Sequence, residues 1–143
     1  MEYKFISSLK SVVSLIFVIM LLGCCDKDNL TEKEILLTSH GWRATSTRLN
    51  GIERIIWEPW QLDDCIFYYP DGTYLYSYGT IRAPGQEQDM TGTWELIEDE
   101  TKLSETWAGT PIMNHPSIDI TENAMILTFI GEAGISEVLY GPC

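Results

Sequence analysis

The chain has 143 residues, of which 45% are hydrophobic, and its formal net charge at pH 7 is −12. A surface this acidic argues against nucleic acid as a partner, because phosphate binding requires a basic patch. The length suits one folded domain, and the four cysteines fit a protein exported to a compartment where disulfides persist.

The N terminus has the pattern of a secretory signal peptide. Lys4 and Lys10 precede an apolar run over residues 12–22, and the small residue Gly23 follows it. The run is shorter than the roughly 20 residues that span a membrane, so a transmembrane helix is the weaker interpretation. Cys24 follows Leu-Leu-Gly. In this respect the segment resembles a bacterial lipoprotein signal, whose cysteine is lipidated and becomes the first residue.

The resemblance implies a signal peptide over residues 1–23 and a lipidated tether over residues 24–30, with Cys24 as the membrane anchor. Cleavage before Cys24 would leave 120 residues and a net charge of −13, because one acidic and two basic residues are removed. The implied location is the outer membrane, with the domain facing the periplasm or the cell surface. The acidic tether resembles the export signal of surface lipoproteins in Bacteroidetes, and an ordinary solvated linker is the alternative.

A short helix is predicted at the start of the domain, which we place at residues 31–143. Thr31 and Glu34 have the spacing of a capping box, and the apolar residues Ile35–Leu37 follow. The sequence Ser39-His40-Gly41 is typical of a helix end. A helix of this length is not stable alone, so we expect it to dock on the rest of the domain.

The clearest structural signal is a β-hairpin over residues 65–79. Pro70 fixes φ at the first turn position, and Gly72 supplies the left-handed residue that closes the turn. This turn predicts a register in which Tyr68 faces Tyr74 across the two strands.

Eight strands are predicted in all, separated by tight turns. They cover residues 42–49, 65–69, 73–79, 91–97, 102–107, 117–121, 125–130 and 135–140. Their close spacing favours an antiparallel meander, which abolishes its exposed edges by closing into a barrel. The predicted fold class is therefore all-β, an eight-stranded antiparallel up-and-down barrel with one short N-terminal helix. An open sandwich of two sheets is the alternative.

The connection between the first two predicted strands, Ile52–Leu62, is unusually apolar. It contains Ile56, Trp57 and Trp60, and Pro59 prevents a regular element there. Leaving such side chains in water costs about 25 cal/mol per Å². We therefore interpret the segment either as a lid on the domain or as a contact surface for a partner.

In their order along the chain, these features resemble the lipocalin-like lipoproteins that are common in Bacteroidetes. The resemblance covers residues 31–140 and rests on the helix, Gly41-Trp42, Asp63-Asp64, Asp71-Gly-Thr-Tyr74 and Gly92-Thr-Trp94-Glu-Leu96. Gly41 is adjacent to Trp42, where true lipocalins have Gly-x-Trp. The resemblance implies a calycin-type barrel with a small calyx, lidded by the connection between its first two strands.

No residue pattern supports catalysis, and we expect neither enzymatic activity nor a cofactor. His40 and His115 lie in no nucleophile or metal motif, and His40 is interpreted as a group at a helix end. Asp63-Asp64 and Glu98-Asp99-Glu100 lack the alternating oxygen spacing of a calcium loop, so we interpret both as solvated turns. No metal site is predicted.

A barrel of eight strands is just wide enough to hold one small ligand or to be filled by its own side chains. The candidate ligand-binding residues are Trp42, Tyr68, Tyr74, Tyr76, Trp94, Glu105 and Trp107. We therefore predict binding of a small, partly apolar ligand. The alternative is a filled barrel that binds an envelope protein or a glycan through the Trp57 and Trp60 loop. If Glu105 faces inward, its carboxylate must be paired or neutral.

Two cysteines remain besides Cys24 and its neighbour Cys25. Cys65 lies on the first strand of the hairpin, and Cys143 is the last residue. If the barrel closes, the terminal tail can approach Cys65. The sequence leaves open whether the two meet, because a disulfide requires Cα atoms within about 7 Å of each other.

Overall fold

The computed structural model describes residues 29–54, 58–86, 88–107, 109–111 and 115–143. The predicted signal peptide, Cys24 and most of the tether lie outside the described residues, as do Ile56 and Trp57 of the predicted lid. For Trp60 the backbone is described and the side chain is not. Within the described part of the chain, no helix is long and apolar enough to cross a membrane.

The predicted helix is present as α1, Glu32–Thr38. Its capping box is complete. The Glu34 backbone N–H donates to Thr31 Oγ1 at 3.2 Å, and the Thr31 N–H donates to Glu34 Oε2 at 2.9 Å. Leu37 on the opposite side is fully buried against the strands, so tertiary packing stabilises a helix that is too short to persist alone.

In the described part of the chain, ten strands follow the helix. They are β1 Trp42–Leu49, β2 Ile52–Arg54, β3 Cys65–Tyr68, β4 Thr73–Ser77, β5 Met90–Ile97, β6 Lys102–Trp107, β7 Thr110–Pro111, β8 Ser117–Ile120, β9 Met125–Gly131 and β10 Gly134–Pro142. All eight predicted strands are present, and the short strands β2 and β7 are additional. A single 3-10 turn, Pro59–Gln61, lies in the apolar connection after β2.

The hairpin of β3 and β4 has the predicted register. Tyr68 pairs with Tyr74, and the Tyr69 N–H donates to the Thr73 carbonyl at 2.8 Å. The turn closes through the Gly72 N–H, which donates to the Tyr69 carbonyl at 3.0 Å. Gly72 has a φ of 82°, the left-handed conformation that the turn requires.

The strands form a ring in which neighbouring strands run antiparallel. The order around it is β1, β3, β4, β5, β6, β8, β9 and β10, and β10 pairs with β1 to close it. Strands β2 and β7 extend β1 and β6 outside this order. The prediction of an antiparallel all-β domain with one short helix is confirmed. The predicted strand count was too low, because two short segments pair beside longer strands.

The ring is held together unevenly. β1 pairs with β3 only through Trp42 and Ile66, and β6 pairs with β8 only through Lys102 and Ser117. Every other junction of the ring contains at least four paired residues. The ring is therefore one sheet that narrows at two seams, between β1 and β3 and between β6 and β8. These seams make it less regular than the predicted up-and-down barrel.

A disulfide fastens the seam between β1 and β3. It joins Cys65, the first residue of β3, to Cys143, with the two Cα atoms 6.3 Å apart and 78 positions between them in sequence. The Cys143 N–H also donates to the Gly41 carbonyl at 2.9 Å. The C-terminal tail thus crosses the start of β1 to reach β3, and the structure answers the question that the sequence left open.

Because neighbouring strands are antiparallel, the connections alternate between two ends of the ring. The helix end carries α1 and the tight turns after β3, β5 and β8, whereas the loop end carries the longer connections after β1, β4 and β6. The core between them contains Leu37, Trp42, Tyr68, Tyr74, Trp94, Leu103, Ile118, Ile120, Met125 and Leu127. The Trp42 indole N–H donates to the Leu37 carbonyl at 2.9 Å, which ties α1 to β1.

Candidate ligand cavity

A cavity of about 200 Å³ lies on the inner side of the ring, beside the seam between β1 and β3. Its lining residues are Trp42, Ala44, Gln61, Asp64, Ile66, Tyr76, Val138 and Tyr140. They come from β1, β3, β4 and β10, and from the segment that contains the 3-10 turn. The wall is mostly aromatic and aliphatic, with one carboxylate and one carboxamide.

The alternation of side chains along a strand explains how Asp64 enters this wall. Ile66 and Tyr68 of β3 both face the inside of the ring, where they pack on or in the core. Asp64 precedes Ile66 by two residues, so the same alternation directs it inward. Its exposed fraction is 6%, a low value for a carboxylate.

Two hydrogen bonds hold the Asp64 carboxylate. Tyr76 Oη donates to Oδ2 at 2.8 Å, and the Gly79 N–H donates to Oδ1 at 3.2 Å. Burial, together with the bond to Asp64, raises the pKa of Tyr76. The neighbouring Asp63 instead accepts bonds from the Thr80 N–H at 2.6 Å and its hydroxyl at 2.7 Å, which lower the pKa of Asp63. Interpreting both aspartates as a solvated turn was therefore wrong for Asp64.

A second carboxylate, that of Glu105, also lies inside the ring. Tyr68 Oη donates to Glu105 Oε1 at 2.8 Å, so the inward carboxylate is paired, as its burial requires. Burial raises the pKa of Glu105, and the Tyr68 bond opposes that shift. Burial and then the charge of Glu105 raise the pKa of Tyr140, which lines the cavity. Glu105 therefore influences a residue of the cavity wall, Tyr140, through its charge.

Neither carboxylate has a cationic partner among the described residues. The ion pairs in that part of the chain lie on the surface and are Arg48–Glu137, Arg82–Asp89 and Lys102–Glu98. No cluster of three or more His, Cys, Asp or Glu side chains in the described ranges could hold a metal ion. The described side chains inside the ring therefore include two carboxylates and no cation paired with them.

The predicted ligand-binding residues separate into three groups. Trp42 and Tyr76 line the cavity. Tyr68, Tyr74 and Trp94 are packed in the core. Trp107 is exposed. Glu105, the remaining candidate, holds Tyr68 inside the ring. Trp107 is the last residue of β6 and is 54% exposed, so it is not packed in the core.

Several lining residues were not among the predicted candidates. Val138 and Tyr140 alternate along β10 with the same inward phase, a signal that the sequence contains. Closure of the barrel by its last strand against its first was predicted from the sequence. The register that sets Tyr140 opposite Ala44 was not, and so Tyr140 was not identified. Gln61 belongs to the predicted lid and reaches the cavity wall.

The comparison with solved structures finds a similar fold in one genus of the predicted bacterial group. A crystal structure of a DUF4847 family protein from Bacteroides vulgatus matches this chain with a TM-score of 0.56 and 14% sequence identity. The match covers 76% of this chain and 96% of that chain. At this identity the likeness shows the fold alone. Neither a protein-family model nor a curated protein matches the sequence.

Proposed function

We propose that this chain is a lipid-anchored envelope protein whose ring binds a small, partly apolar ligand in the cavity beside the seam of β1 and β3. The observation that carries the proposal is the cavity itself, because most of the ring is filled by core side chains while this space is open. A packed protein interior leaves few voids larger than a water molecule. A space of about 200 Å³ is therefore a feature to be explained.

The cavity volume limits the size of the ligand. Pockets for drug-sized molecules have about 300–1,000 Å³, whereas an apolar cavity of about 150 Å³ in another protein binds benzene. A space of about 200 Å³ therefore suits a single ring with a short substituent.

Benzyl alcohol is a suitable probe, because it combines one aromatic ring with one polar group. We expect it to bind the full chain, purified in detergent, and to change tryptophan fluorescence, since Trp42 lines the cavity. The matched control is Ala44→Leu, which fills the cavity from β1 and leaves partitioning of the probe into micelles unchanged. Equal responses of the two proteins would refute binding in the cavity.

The lipid anchor is tested separately. We expect Cys24→Ala to abolish labelling by radioactive palmitate and to leave the precursor uncleaved, because the thiol of Cys24 is the only proposed attachment point. Undiminished labelling of the variant would mean that Cys24 is not the anchor. Either Cys25 is then the lipidated residue or the proposal of a lipid anchor at this site is wrong. If the anchor exists, the short tether places the helix end towards the membrane and the loop end away from it.

A second candidate function is an interaction module for an envelope protein or a glycan. The observation that favours it is a group of exposed apolar side chains at the loop end, Ile52, Trp107, Ile130 and Ile135, of which Ile130 is 82% exposed. The predicted contact loop with Trp57 and Trp60 lies between β2 and β3 in the sequence. In this case Ile130→Ser with Trp107→Ser would weaken partner binding, and Ala44→Leu would have no effect on it.

A further inference from the structure

We infer that the ligand of this cavity is a small organic cation, such as a protonated amine or a quaternary ammonium with one compact apolar group. The inference rests on the proposed function and adds a chemical class to it. It is drawn from the charge, the aromatic wall and the size of the cavity.

The charge inside the ring is uncompensated. Asp64 lines the cavity directly, and Glu105 accepts the hydrogen bond of Tyr68 inside the ring. No cation of the described residues lies within ion-pair distance of either carboxylate. Buried carboxylates are normally paired with a cation, and here only tyrosine hydroxyls and a backbone N–H serve them. A cationic ligand would supply the missing charge.

The Asp64 carboxylate retains capacity for a ligand. A carboxylate has about four lone-pair positions, and the structure gives each oxygen of Asp64 one donor. Both existing donors come from the protein and fix the orientation of the group. An ammonium N–H could therefore bond to it without displacing Tyr76 or the Gly79 backbone.

The aromatic wall favours an organic cation over a hydrated metal ion. Trp42, Tyr76 and Tyr140 are among the lining residues, and an aromatic ring attracts a cation that lies within about 6 Å of its centre. Ala44 and Val138 add aliphatic surface, which suits the apolar part of an amine. A hard metal ion needs several oxygen ligands, and among the described residues the cavity wall offers one carboxylate.

The overall charge of the chain acts in the same direction. At −12, the protein attracts small cations from solution and repels small anions. This long-range attraction does not identify a site. The size of the cavity is what favours a cation whose apolar part is about as large as one aromatic ring.

The test compares three probes of nearly the same size that differ in charge: the cation benzylammonium, the neutral benzyl alcohol and the anion benzoate. We expect the full chain to bind benzylammonium at least about tenfold more tightly than benzyl alcohol at pH 7, because desolvated cation–π and charge interactions together exceed one decade of affinity. Benzoate should not bind detectably. Isothermal titration gives all three affinities, with Ala44→Leu subtracted as the micelle control.

A pair of charge-removing variants assigns the preference to its residue. Asp64→Asn can keep both bonds, because its Oδ1 can accept from the Gly79 N–H while its amide N–H donates to Tyr76 Oη. It should reduce the preference for the cation to less than about threefold, while the affinity for benzyl alcohol persists. Asp63→Asn removes the same charge one residue away, from a carboxylate that faces Thr80, and should retain most of the preference. Circular dichroism in the aromatic region verifies that both variants are folded.

The possible outcomes separate the two proposals. If none of the probes binds, the proposed function fails. If benzyl alcohol and benzylammonium bind equally well, the cavity is a binding site and the inference of a cation is wrong. This probe ratio in the unmodified chain decides the question even where Asp64→Asn does not fold.

Discussion

Removal of the disulfide gives a sharp test of how the ring is closed. Cys65→Ala with Cys143→Ala deletes the covalent tie across a seam that otherwise has one pair of bridging residues. The bond closes a loop of about 78 residues, for which the chain-entropy model gives about 4.5 kcal/mol at 25 °C. Domains of this size are stable by only about 5–15 kcal/mol, so we expect the variant to be close to its stability limit. Alanine is chosen because Cys65 is buried and a serine hydroxyl would lack a partner there.

The measurement is urea unfolding of a lipid-free form that starts at residue 26 and therefore lacks Cys24 and Cys25. With a slope of about 1.5 kcal/mol per M, the loss should lower the midpoint by about 3 M. The oxidised protein treated with a reductant should show the same loss as the double variant. A loss below about 1 kcal/mol would refute the reasoning, because the seam would then be held by contacts other than the disulfide.

Three further predictions concern single sites. Glu105→Gln should make stability less dependent on pH. The pKa of Glu105 is raised in the folded state, so its ionisation destabilises the fold as the pH rises above the pKa of the unfolded chain. Glutamine cannot ionise and retains the bond with Tyr68. The free energy of unfolding measured from pH 4 to pH 8 tests this, and an unchanged dependence on pH in the variant would contradict it. Gly92→Ala should cost about 3 kcal/mol or more in urea unfolding, because the added Cβ would meet the Thr106 carbonyl oxygen of β6 and then the Tyr74 ring. A neutral effect would show that β5 and β6 shift apart at little cost. Thr31→Ala should cost about 1 kcal/mol in the same assay by removing the N-cap of α1, and Thr31→Ser should restore most of it.

Local patterns in the sequence predicted the elements of this fold well. The capping box at Thr31 and the turn closed by Gly72 each depend on neighbours within four residues, and both are present with the expected hydrogen bonds. The ligand-binding candidates from the hairpin, Tyr68, Tyr74 and Tyr76, all pack in or against the core. The short strands β2 and β7 were missed because two or three residues carry no measurable alternation, and they are strands only because β1 and β6 lie beside them.

The candidate cavity was predicted less well, because it depends on where distant strands lie. Tyr140 meets Trp42 at the cavity only because β10 closes on β1, a contact across about a hundred residues of sequence. Asp64 becomes buried because Gly79 and Tyr76 bond to it, and the sequence around Asp64 itself resembles an ordinary turn. Trp107 shows the converse case. It lies in the same alternation along β6 as the buried Leu103, but the strand ends at Trp107 and the core does not cover it.

The disulfide and the cavity occupy the same seam, which predicts that they are coupled. Trp42 and Ile66 form the single bridging pair between β1 and β3, and both side chains line the cavity. Without the disulfide, the seam can open locally at a smaller free-energy cost, and the fraction of molecules with an assembled cavity falls. We therefore expect reduction to weaken the binding of benzylammonium several-fold at temperatures where the ring remains folded. Gly92→Ala is the matched control, because it destabilises β5 without touching the cavity wall. An equal loss of affinity in this control would mean that general destabilisation, and not the seam, governs binding.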